Sequence, residues 1–134
     1  MEGYLVELAL HEPKRWVDEA IAFCKASGKG IALAEFSNPH GRFAEGEHYV
    51  YVLDTSGMML AHPVSEDFVG KDFHGVQDTE GKSFVKKIVD TADNGGSGWV
   101  EYKWFKPATK REQLKMVYFE KFDNLIFCSG VYQS

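Results

Sequence analysis

The chain has 134 residues, a formal net charge of −5, and 44% hydrophobic and 14% aromatic residues. That length suits one domain able to bury roughly two-thirds of its unfolded surface. The acidic balance, without any Lys/Arg stripe, argues against nucleic acid or an anionic membrane as a partner.

No apolar run approaches the ~18 residues of a membrane span, and the first residues carry no cationic-then-apolar leader. Pro13 suits the first turn of a helix. Val17, Ala20, Ile21 and Cys24 then recur at helical spacing until Gly28 supplies a stop. A short helix is expected over 31–36, and Asn38-Pro39-His40-Gly41 reads as a turn. Segments 49–54 and 58–62 are β-rich and flank Ser56-Gly57, a hairpin whose register sets Leu53 opposite Leu60 and Tyr51 opposite His62. Residues 63–82 read as an irregular connection with a short turn near Phe68, and 83–92 as an amphipathic helix. Segment 99–105 is a strand with Val100, Tyr102 and Trp104 facing inward. Segments 114–122 and 125–132 form a last hairpin around Asp123-Asn124. Its register sets Phe119 opposite Cys128, Val117 opposite Gly130, and Lys115 opposite Tyr132. The result is an α+β fold: a five-stranded antiparallel sheet with an N-terminal helix and connecting helices packed on it. No repeat or internal boundary divides residues 1–134.

Several chemistries are excluded. Gly81-Lys82-Ser83 resembles the tail of a phosphate-binding loop, but the earlier glycine would fall at Val76. The five histidines and two cysteines show no metal-ligand spacing, and no serine or cysteine is tied by motif to a base. No cofactor is expected. Cys24 and Cys128 sit in apolar contexts and are expected as free thiols, although a bridge would close a long loop worth about 4–5 kcal/mol.

Some side chains remain open to two readings. His62 is either a strand-end core histidine hydrogen-bonded to a backbone carbonyl or a ligand donor; Lys115 is either a solvated edge charge or the counter-ion of an anion. Tyr102 and Trp104 are core or pocket wall, each with a polar tip. Gly130 leaves room for close approach.

Four segments point further: Leu60 to Gly70 (LAHPVSEDFVG), Gly98-Trp99-Val100-Glu101-Tyr102-Lys103-Trp104, Lys115-Met116-Val117-Tyr118, and Gly130-Val131-Tyr132. In this order and spacing, from about residue 17 to 132, the chain resembles the single Cache domain, a PAS-like extracytoplasmic sensor module that binds small carboxylates. The resemblance implies a PAS-like sheet and a ligand site of Tyr51, His62, Tyr102, Trp104, Lys115 and Tyr118; were binding unchanged without the Lys115 charge, Arg42 would be the next candidate cation. Lys115 and Tyr118 are three apart, so a regular strand would point them to opposite faces unless a bulge intervenes. The implied ligand is a two- to four-carbon monocarboxylate such as acetate, propionate, pyruvate or lactate. A protonated His62 donating to it would make binding strongest at low pH. The implied partners are that small acid, a signalling output module in a longer receptor, and a second copy of the chain as a homodimer. The implied role is sensing outside the membrane, not catalysis. Two other readings stand beside it: a cytoplasmic PAS-like module binding a protein or a larger cofactor, and a small enzyme using Lys115, His62 and Tyr118. The chain is then either an excised receptor segment or a stand-alone protein.

Overall fold

The computed structural model describes residues 2–133, with side chains from residue 11 onward. Helix α1 (Glu2–Ser27) carries Pro13 in its interior, not in its first turn. A proline there forfeits one backbone hydrogen bond at a cost of about 3 kcal/mol. Its ring is nevertheless buried, and it extends the inward stripe of Trp16, Val17, Ala20, Ile21 and Cys24 by one turn. That burial offsets part of the cost. Gly28, at φ 88°, separates α1 from α2 (Lys29–Phe36).

The strands are β1 (Ala44–Glu45), β2 (His48–Asp54), β3 (Met59–Ala61), β4 (Ser97–Phe105), β5 (Glu112–Phe122) and β6 (Leu125–Tyr132). They form one antiparallel sheet in the order β1-β2-β6-β5-β4, with β3 paired to β2. The sixth strand, β1, is two residues long, too short to leave a periodic signal. The last hairpin has the register read from Asp123-Asn124, with Lys115 opposite Tyr132, Val117 opposite Gly130 and Phe119 opposite Cys128. In the first hairpin, Val52 pairs with Ala61 as the Ser56-Gly57 turn predicts. An irregularity at Val52/Leu53 then places Leu53 opposite Met59, not Leu60. The Asp54 carboxylate accepts the backbone N–H groups of Ser56 and Met58, which tightens the turn.

Strand alternation divides the sheet into two faces. Val50, Val52, Tyr118, Leu125 and Phe127 pack against α1 and α2 in an apolar and aromatic core. Tyr49, Tyr51, Leu53, Val100, Tyr102, Val117 and Phe119 face α3 (Phe84–Gly95) and the long 62–83 connection. Helix α3 presents Phe84, Val85, Ile88, Val89 and Ala92 to this face and stops at Gly96 in the left-handed region. Cys24 lies in the first core and Cys128 in the second, so the sheet separates two free, buried thiols.

Candidate functional site

The face under α3 holds one buried cation. Lys115 is 1% exposed, and no carboxylate among the described residues lies within ion-pair distance of it. β5 projects it inward because it shares the parity of Val117 and Phe119. Its Nζ lies 4.4, 5.5 and 5.1 Å from the ring centres of Tyr49, Tyr51 and Tyr132. Nζ also donates a 2.9 Å hydrogen bond to the Tyr49 hydroxyl. Burial pulls its pKa below the usual lysine value. An ammonium taken out of water without an anion costs several kcal/mol, and each ring returns about 0.5–2 kcal/mol. The cage stabilises the charge only in part.

The tyrosines continue the polar path. Tyr132 donates to the Phe105 carbonyl at 3.0 Å, so its one proton is committed. The 3.5 Å contact between the Tyr49 and Tyr132 hydroxyls therefore runs from Tyr49 to Tyr132. A directed chain results: Lys115 to Tyr49 to Tyr132 to the β4 backbone. Tyr51 and Tyr102 share a separate 2.9 Å hydrogen bond, and burial pushes both phenols up so that they stay protonated.

His62 follows β3 and is 4% exposed. Its Nδ1 accepts the backbone N–H groups of Val64 and Ser65 at 3.2 and 3.1 Å. Two N–H donors at Nδ1 require the Nε2–H tautomer and a neutral ring. Burial, then the Lys115 charge, pulls its pKa from 6.5 to about 3. This corrects two expectations. His62 bonds to backbone amides rather than a carbonyl, and it offers a ligand one donor, Nε2–H, without becoming protonated. Acid-enhanced binding through an imidazolium is not expected near neutrality.

Tyr51, His62, Tyr102, Trp104 and Lys115 converge around one cavity of ≈ 20 Å³, closed further by Phe68, Phe73 and Phe84. Tyr51 stacks on His62 at 5.7 Å, and Phe84 on Tyr102 at 3.9 Å. Tyr118 is not among them. No bulge restores it to the inner face; it packs with Trp99 at 5.2 Å in the opposite core and donates to Glu120 at 2.6 Å. Arg42 is also excluded, since its exposed guanidinium stacks on Phe23 and Phe43 on the α1 side. Tyr49 and Tyr132 were not among the expected site residues, although Tyr49 lies two residues from Tyr51 and Tyr132 lies opposite Lys115 in the predicted register.

Gly130 explains how a lysine fits against β6. A Cβ there would lie 2.6 Å from the Met116 carbonyl oxygen, 2.7 Å from Val117 Cγ2 and 3.1 Å from Lys115 Cε. Gly130→Ala is expected to destabilise the fold by about 1–3 kcal/mol through overpacking. A urea melt indistinguishable from wild type would contradict this packing.

An antiparallel sheet with one face closed by helix and loop over a ring-lined cavity defines a PAS-like sensor fold. The chain belongs to the Single Cache domain 2 family, whose model matches residues 39–132. It is 27% identical over 130 residues to the sensor histidine kinase MctS of Rhizobium johnstonii (strain DSM 114642 / LMG 32736 / 3841), covering 96% of this chain and 27% of MctS. The chain thus spans about a quarter of that relative's length. Among solved structures it resembles a periplasmic sensor domain of a chemotaxis protein (26% identity, TM-score 0.72, covering 98% of this chain and 92% of that one). It also resembles a Cache chemosensory domain solved for carboxylic acid recognition (22% identity, TM-score 0.76, covering 99% and 96%). Among the described residues, no helix is long and apolar enough to cross a membrane.

Proposed function

We propose that this domain, over residues 1–134, binds a two- to four-carbon monocarboxylate as the input of a longer signalling receptor. The observation that carries the reading is the buried, uncompensated ammonium of Lys115 in its tyrosine cage. An anion there would supply the missing counter-charge, and the Tyr49 hydroxyl and His62 Nε2–H would add donors. Trp104 and Phe84 would cover a short apolar tail. The carboxylic acid recognition of one structural neighbour supports the ligand class, and the periplasmic neighbour supports a place outside the membrane. A kinase or chemotaxis output module and a second copy of the chain are the partners this role implies. On this reading the domain is a sensor and not an enzyme, because no sequence motif ties a nucleophile to a general base. Its small cavity also argues against a larger cofactor.

A ceiling of about 1.5 kcal/mol per heavy atom limits a four- to six-atom acid to roughly 6–9 kcal/mol, so micromolar or weaker binding is expected. Thermal shift against acetate, propionate, pyruvate and lactate tests the proposal. At a hundredfold excess over Kd, stabilisation should be about 2.7 kcal/mol, or roughly 10 °C for a domain of this size. A flat response to all four acids, with a clear shift for a neutral or cationic compound, would sink the reading.

A further inference from the structure

The cage cavity of ≈ 20 Å³ has room for about one water. Beside it opens a vestibule of ≈ 280 Å³, bordered by Val64, Phe105, Pro107 and the side chains of Lys106 and Lys110. Four side chains belong to both walls: Tyr49, His62, Phe68 and Trp104. Tyr49 and Trp104 are fixed on paired strands, and the His62 ring is held by hydrogen bonds it accepts from two backbone N–H groups. Phe68 differs. It ends the single 3-10 turn Glu66–Phe68 within the irregular connection, and its half-buried ring is held edge-on to His62, Phe73 and Trp104 at 5.3, 4.9 and 6.1 Å.

We propose that Phe68 is the specificity-determining partition between cage and vestibule: it moves to admit the acid and, on returning, limits the acid's length. This rests on the carboxylate reading above. Acetate has four heavy atoms and does not fit a one-water cavity, so one wall must give. Phe68 alone of the four lies on a short turn closed mainly by local hydrogen bonds, Phe68 N–H to the Ser65 carbonyl and Lys71 N–H to the Phe68 carbonyl. Its own ring makes only edge-on aromatic contacts, so its displacement costs least. Once Phe68 returns, a tail of more than a few carbons meets its ring. Without that ring the cage would be continuous with the vestibule, and an acyl tail would run along Val64 and Phe105. Each methylene buried there adds roughly fourfold in affinity.

Titration calorimetry of wild type, Phe68→Ala and Phe68→Leu with acetate, butyrate and hexanoate tests the proposal, with melting curves to confirm folding. Wild type should bind hexanoate more weakly than acetate. Phe68→Ala should move the hexanoate-to-acetate affinity ratio at least tenfold toward hexanoate, with Phe68→Leu between; should the alanine variant unfold, the leucine variant decides. If acids bind but the length profile is the same in wild type and variants, or if wild type takes hexanoate as tightly as acetate, the partition is overturned and the carboxylate reading stands. If none of the three acids binds any of the proteins, both are overturned.

Discussion

Lys115→Met is expected to weaken carboxylate binding by between about tenfold and about a hundredfold, while raising the melting temperature of the ligand-free protein by a few degrees. The loss follows from removing one charge-assisted hydrogen bond of about 1.5–3 kcal/mol. The gain follows because methionine keeps the stem's volume and no longer buries an uncompensated ammonium. A solvated lysine would show neither effect, and a structural one would show a loss of stability. The pH dependence has a defined sign. Burial lowers the folded pKa of Lys115 below the ordinary lysine value of 10.5. Between the two values the unfolded chain holds the extra proton, so stability of the ligand-free protein rises with pH across that window. A bound anion favours the ammonium and raises the pKa. Affinity is therefore full below the free-state value and falls as pH rises through the bound one. Calorimetry and melts across the alkaline range, repeated on Lys115→Met, should lose both trends together. Wild-type affinity in the variant would move the anion away from the cage.

The second large effect is acid instability from His62. Its folded pKa of about 3 lies below its ordinary 6.5, so the contribution is fully present above 6.5 and is lost as pH falls toward 3. By pH 4 the loss is about 3 kcal/mol. Asp54 and Asp78 also have lowered pKa values, held down by hydrogen bonds against the opposing effect of burial, so acid weakens the fold through them as well. The difference between wild type and His62→Gln isolates the imidazole. Glutamine keeps an acceptor for the Val64 and Ser65 amides but cannot titrate. The variant should resist denaturation between pH 6.5 and 4 better than wild type. Superimposable acid curves would mean that His62 is not buried neutral.

Much of the fold is legible in the sequence where local chemistry is decisive. Asp123-Asn124 and two strands of period two are enough to set Lys115 opposite Tyr132. Pro13 misleads because the preference for the first turn competes with a buried ring that completes a helical stripe. The bulge at Val52/Leu53 has no composition signature and shifts one pair of a register otherwise set by the turn. At the candidate site, the family motif draws Tyr118 beside Lys115, and the pleat separates them. Alternation alone would have preferred Tyr49. Phe68 and Phe84 reach the cavity through tertiary docking of a loop and a helix, which no local spacing encodes. The absence of an acidic partner for Lys115 is likewise a property of three-dimensional packing.

The division of the sheet into two cores has an evolutionary consequence. The α1 side is filled by Trp16, Phe36, Phe43 and Phe127 in edge-to-face contact, an arrangement with no polar obligation to a ligand. It anchors the architecture while the other side carries an electrostatic debt. Substitutions on the tyrosine side can then change the chemistry of that face without first undoing the scaffold, since distant sites contribute nearly additively. On the carboxylate reading, chains of this architecture can diversify in what they detect while keeping one backbone, with foldability carried by rings on the face opposite the proposed site.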